Sequence, residues 1–187
     1  MGYPRRLQRA NAVYHVWTRA TASGALCVDS EDRRRFVRLL KLSLGRHNAS
    51  CLMYCVLGTH YHLVLRTRDA NIGATMRWLN GVYAQTFNKR HGRFGHLVAA
   101  RYCAKLVETE EHALELCRYI PLNPVRAHLC ERAEQWPWSS YAATIGRAAT
   151  PSFLDTSWVL RQFSRDDEFA RRLLEAWVVS GMAARAA

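Results

Sequence analysis

Val56-Leu57-Gly58-Thr59-His60-Tyr61-His62-Leu63-Val64-Leu65 is the stretch whose reading decides the fold. It is apolar and rich in residues that favour strands, and Gly58-Thr59 marks a turn or bulge ahead of the histidines. Side chains alternate along a strand, so His60 and His62 point the same way with Cα atoms roughly 6.5–7 Å apart. Tyr61 and Leu63 then anchor the opposite face in a core. Such a spacing lets both imidazoles reach one metal ion. Taken alone, a His-x-His stretch more often holds one buried, hydrogen-bonded histidine beside a surface one, so the rest of the chain must decide.

Working outward, Ser50 to Leu57 reads as a strand apolar on both faces, hence central in a sheet. Before it, Ala12 to Ala20 alternates as a strand, with Val13, His15 and Trp17 on one face and Tyr14, Val16 and Thr18 on the other. Asp29 or Ser30 caps a helix whose apolar stripe is Phe36, Leu39, Leu40 and Leu44. After His60 to Thr67, Asn71 caps a long helix carrying Ile72, Met76, Leu79, Tyr83 and Phe87, broken near Gly92. Leu97 to Val107 reads as a fourth strand, and Thr109 caps a helix with Glu110 and Glu111 in its first turn.

That order predicts an α+β, ferredoxin-like split βαβ sandwich, with an antiparallel sheet and helices on one face. Residues 1–130 are expected to form this domain, and 131–187 a short helical extension packed on it with a frayed end.

The 187 residues suffice for a proper core, and 49% are hydrophobic, which excludes a disordered chain. The formal charge is +12, from 27 Lys and Arg against 15 Asp and Glu, which points to a polyanion such as nucleic acid. Cys27, Cys51, Cys55, Cys103, Cys117 and Cys130 match no zinc template and read as reduced core residues of a cytoplasmic protein. No apolar run is long enough to span a bilayer, so no membrane partner is expected.

One nucleophile stands out in Arg118-Tyr119-Ile120-Pro121-Leu122-Asn123-Pro124-Val125-Arg126. On a continuous helix Tyr119 and Asn123, four apart, share a face. A free phenol ionises only at a pKa of about 10, so a tyrosine that attacks phosphate needs a nearby metal or base. Pro121 predicts a break or kink between the two, because proline loses a helical hydrogen bond and biases Ile120 away from helical angles.

His60-Tyr61-His62 is followed in order by Leu79-Asn80-Gly81-Val82-Tyr83-Ala84-Gln85-Thr86-Phe87-Asn88 and Gly92-Arg93-Phe94-Gly95-His96-Leu97. Next come Arg101-Tyr102, Arg118-Tyr119-Ile120 with Leu122-Asn123-Pro124-Val125-Arg126-Ala127, and Trp136-Pro137-Trp138-Ser139-Ser140-Tyr141. Over residues 8–160 or so this closely resembles the REP-associated tyrosine transposases of the single-tyrosine HUH transposase superfamily. The resemblance implies a metal-dependent single-stranded DNA endonuclease that cleaves and rejoins DNA near hairpins through a 5′-phosphotyrosine link. It implies Tyr119 as nucleophile, His60, His62 and Asn123 as ligands of Mg2+ or Mn2+, and a nucleoid-associated monomer or homodimer. Where relatives usually carry a proline and an asparagine before the first histidine, this chain has Gly58-Thr59. Arg5, Arg6, Arg9, Arg77, Lys89, Arg90, Arg93, Arg101 and Lys105 are the candidates for contact with the DNA backbone. The rival expectation, favoured by a kink at Pro121, is a domesticated protein that binds hairpin DNA without cutting it.

Overall fold

A computed structural model describes residues 8–21 and 24–183. Four strands, β1 (Ala12–Arg19), β2 (Ala49–Val56), β3 (His60–Thr67) and β4 (Cys103–Leu106), form one sheet in the order β2-β3-β1-β4, every pair antiparallel. Helices α1 (Ser30–Arg46) and α2 (Ile72–His91) connect β1 to β2 and β3 to β4, and α3 (Glu110–Arg126) follows β4. The α+β, ferredoxin-like arrangement is thus the expected one. Its punctuation is local chemistry: the Asp29 carboxylate accepts the Asp32 N–H at 3.0 Å and the Thr109 hydroxyl accepts the His112 N–H at 3.2 Å. Gly92, at φ +58°, ends α2 in the left-handed region that glycine tolerates.

The sheet parts two apolar clusters. Tyr14, Val16, Tyr61, Leu63 and Leu65 meet α1 and α2 on one face, through Phe36, Leu40, Met76, Leu79, Tyr83 and Phe87. On the other face α3 packs through Leu116, Cys117 and Ile120 against Val64 and β2 residues. Helices therefore cover both faces, α1 and α2 the expected one and α3 the other. β2 supplies apolar side chains to both clusters, and a register shift between Cys51 and Met53 sets which residue goes where. Cys51, Tyr54 and Val56 turn to one cluster while Leu52, Met53 and Cys55 turn to the other.

Two strand expectations are corrected. β2, apolar on both faces, is an edge strand and not a central one. Its open side is closed by the later chain: the Val56 N–H donates to the Trp138 carbonyl at 2.9 Å and the Asp155 N–H to the Cys51 carbonyl at 2.8 Å. β4 is only Cys103–Leu106, shorter than the Leu97–Val107 run. Leu97 and Tyr102 are both buried in the α1–α2 cluster although their positions have opposite parity, so no regular strand can join them.

Beyond α3 come a 3₁₀ turn (Ala133–Gln135) and helices α4 (Tyr141–Thr144), α5 (Ser157–Leu160) and α6 (Asp167–Ala183). Ala170, Leu174 and Val178 of α6 join the α3 cluster. The Trp177 indole donates to the Leu114 carbonyl at 3.0 Å, and the Arg118 guanidinium lies 4.4 Å from the centre of its ring. At Gly181 a Cβ would lie 2.5 Å from Arg118 Cδ and 3.0 Å from Leu122 Cδ1. Replacing a helical glycine by alanine ordinarily gains about 1 kcal/mol. Here Gly181→Ala is expected to lower the urea unfolding midpoint, because it pushes α6 off α3. A raised midpoint contradicts the close packing.

Candidate active site

Antiparallel pairing of β1 and β3 sets Arg19 opposite His60, Trp17 opposite His62 and His15 opposite Val64. Opposed residues share a face, so His15, Trp17, Arg19, His60 and His62 all lie on the α3 side of the sheet. The His60 and His62 rings are 5.3 Å apart, centre to centre. His15 Nε2 lies 3.0 Å from His62 Nδ1, close enough for one ring to donate to the other. His62 is only 5% exposed, and its Nε2 is buried with no hydrogen-bond partner. If Nδ1 of His62 donates to His15, the unpartnered Nε2 carries a lone pair and no buried, unmatched N–H results.

All three rings are biased toward the neutral form. Burial, followed by the His112 and Lys105 charges, lowers His15 to about 4. Burial, followed by His15, His60 and Arg19, lowers His62 to about 3. His60 is also lowered, by burial and then Arg19, while a hydrogen bond with Asn123 pulls the other way. Neutral imidazole is the form that binds a metal.

α3 lays its tyrosine on this face. The Tyr119 ring is 5.2 Å from His62 and 6.4 Å from His15, edge-on to both, and the Arg126 guanidinium is 5.3 Å from its centre. The expected break at Pro121 does not occur, for α3 runs from Glu110 to Arg126 with both Pro121 and Pro124 inside it. Pro121 is held by its burial between Ile120 and Leu122 in the packing of α3, and Asn123 steadies the helix at Pro124. Pro124 cannot donate to the Ile120 carbonyl, and the Asn123 amide nitrogen reaches that carbonyl at 3.5 Å while donating to the Tyr119 carbonyl at 2.7 Å. With its nitrogen held by the backbone, the amide has its oxygen left for the His60 side. Among the described residues no three of His, Cys, Asp and Glu converge as a metal site. The groups on this face that could take a cation are two neutral imidazoles and one amide oxygen.

Residues 8–123 match the family model described as "Transposase IS200 like". The chain belongs to the IS200-like transposase family. Among solved structures, a REP-associated tyrosine transposase bound to a REP hairpin covers 81% of this transposase and 89% of its own chain, with 15% identity and a TM-score of 0.64. A putative transposase from Deinococcus radiodurans covers 64% of this chain and 94% of its own, at 19% identity and a TM-score of 0.45. The first likeness concerns the fold, and nothing rests on the second. No curated protein matches.

The basic candidates in this IS200-like transposase fall into different settings. Arg5 and Arg6 lie outside the described residues. Lys105 stands opposite His15 in the β1–β4 ladder and shares the histidine face, while Arg77 and Arg101 line an open cleft beside α2. Lys89 is exposed, Arg9 pairs with Glu108 at 2.8 Å, and Arg93 lies 5.9 Å from the Phe87 ring. Arg90 has a structural setting: its guanidinium bonds Asp29 and Asp32 at 2.6 Å, tying the C-terminus of α2 to the N-terminus of α1. His15, Arg19 and Arg126 are site residues that the sequence reading did not single out. The alternation of β1 placed His15 beside Trp17, and Arg126 is two helical turns beyond Tyr119.

Because the folded values of His15 and His62 lie below the unfolded one, the unfolded chain binds more protons below about pH 6.5. Stability is expected to be fully present above that pH and to fall as the metal-free protein is acidified toward the folded values of about 4 and about 3. In an NMR titration the His15 and His62 ring signals should stay constant between roughly pH 8 and 5. Midpoints near the unperturbed value contradict the buried, neutral cluster.

Proposed function

We propose that this transposase cuts and rejoins single-stranded DNA beside hairpins through Tyr119, with Mg2+ or Mn2+ held by His60, His62 and Asn123. The observation that carries this reading is the crossing of an unbroken α3 over the histidine face, with Tyr119 beside His62 and Asn123 beside His60. The unpartnered Nε2 of His62 and the oxygen of Asn123 are donors of the kind such a cation takes, although two imidazoles would also accept zinc. When bound, the metal polarises a non-bridging phosphate oxygen and offsets charge in the transition state.

The chain's own residues account for the remaining chemistry. The Tyr119 phenol oxygen attacks the scissile phosphorus; a phosphorus–oxygen bond to the tyrosine forms as the bond to the 3′-oxygen breaks. The phenol proton ends on that 3′-oxygen, leaving a 5′-phosphotyrosine and a free 3′-hydroxyl. Attack by this hydroxyl, or by another strand's, reverses the step with no outside energy source, because one phosphodiester replaces another. Arg126, over the Tyr119 ring, and Arg19, opposite His60, bring positive charge to the reacting groups. His15 orients the His62 ring. A helix ending at Pro121 would have favoured a hairpin binder that does not cut; α3 instead runs on to Arg126.

A labelled hairpin oligonucleotide drawn from the DNA flanking the gene tests the proposal, with Mn2+ or Mg2+ present. A covalent protein–DNA band on a denaturing gel is expected, abolished in Tyr119→Phe and on chelation. His62→Ala, which removes a proposed ligand, should likewise abolish it at limiting metal, and His15→Ala should reduce it by about 10- to 100-fold. Binding of the hairpin with no band would leave the protein a binder alone.

A further inference from the structure

We propose that Thr59 is a positioning residue for His60. Its hydroxyl holds the ring's Nδ1 in either neutral tautomer, so Nε2 can exchange its proton for a lone pair without the ring turning. The inference rests on the reading above, in which His60 and His62 are metal ligands. Thr59 Oγ1 lies 3.0 Å from His60 Nδ1. The backbone beneath that contact is fixed on several sides. The Leu57 N–H donates to the His60 carbonyl at 2.8 Å, and the Ala20 N–H to the Thr59 carbonyl at 2.8 Å. The Gly58 carbonyl accepts from both the Leu26 and the Cys27 N–H, at 2.7 and 3.0 Å. Thr59 is exposed, yet its backbone is not free to move off the ring.

The two histidines differ in what they offer. His62 Nδ1 meets His15, and its buried Nε2 has no partner, so a lone pair there already faces the site. His60 is engaged on both sides. The Asn123 amide nitrogen is committed to the Tyr119 carbonyl at 2.7 Å, so toward His60 the amide accepts through its oxygen and the ring donates. A neutral imidazole carries one N–H. With Nδ1 beside Thr59, that N–H sits on Nε2 in the metal-free protein, and the Thr59 hydroxyl donates to Nδ1. Binding a cation through Nε2, the nitrogen on the Asn123 side, requires the other tautomer, with Nε2 bare and Nδ1 protonated. One proton then moves from Nε2 to Nδ1 by way of water, the ring stays neutral, and the Asn123 oxygen is released. A hydroxyl both donates and accepts, so Thr59 turns about its C–O bond and keeps its bond to Nδ1 before and after. A purely apolar side chain there would leave the new Nδ1–H without a protein partner.

The test uses full-length protein with isotope-labelled histidine and reads each ring's tautomer from long-range proton–nitrogen NMR spectra, with Zn2+ as a diamagnetic probe. Without metal, His60 is expected to carry its proton on Nε2 and His62 on Nδ1. Saturating Zn2+ should move the His60 proton to Nδ1 and leave the His62 tautomer unchanged. Thr59→Val, which keeps the shape and removes the hydroxyl, should weaken Mn2+ binding about tenfold, and Thr59→Ser should restore it. Circular dichroism checks that both variants fold. A His60 proton already on Nδ1 without metal, or equal Mn2+ affinity in Thr59→Val, overturns the role of Thr59 while leaving the transposase reading intact. Ring signals of His60 and His62 that both ignore saturating metal overturn the metal site itself, and this inference with it.

Discussion

The pairing of β1 with β3 is the constraint on which the rest depends. With Thr18 set against Tyr61 and Trp17 against His62, every other residue of both strands is committed to one face. Tyr14, Val16, Tyr61, Leu63 and Leu65 go to the α1–α2 core, and His15, Trp17, His60 and His62 go opposite. A slip of one residue would turn the histidines into that core and expose Tyr61. Burying several large apolar side chains, each worth ~1.5–3 kcal/mol, locks the register far more strongly than anything at the site could. The chemistry is thus aimed by residues that take no part in it.

A second constraint acts through α3. Its apolar side is fixed by Leu116, Cys117 and Ile120 against the sheet and by α6 behind, which leaves Tyr119 facing His62. Two prolines within one helix would ordinarily weaken it, yet both are buried in this packing and Asn123 bonds back to the carbonyls beside them. The same amide has its oxygen left for the His60 side, so one residue braces the helix and reaches the candidate site.

Much of this was legible in the sequence because it depends on spacing alone. The alternation around His60 and His62, the four-residue step from Tyr119 to Asn123, and the caps at Asp29 and Thr109 need no knowledge of distant partners. What escaped depends on such partners. His15 touches His62 only through a strand pairing that spans 47 positions, and Arg90 is claimed by Asp29 and Asp32 some 61 and 58 positions away. β2 read as central because burial on both faces looks the same in sequence whether a strand or the later chain covers the edge. Pro121 misled because helix propensity is local, whereas the packing that overrides it is not.

The central claim is that α3 and β3 together make one metal site. The most direct measurement adds Mn2+ to isotope-labelled protein and follows paramagnetic broadening of side-chain NMR signals. His60, His62 and the Asn123 amide should broaden together and first, while the buried rings of Tyr61 and Tyr83 on the other face lag behind. Early broadening at other residues, with these three unaffected, would contradict the account.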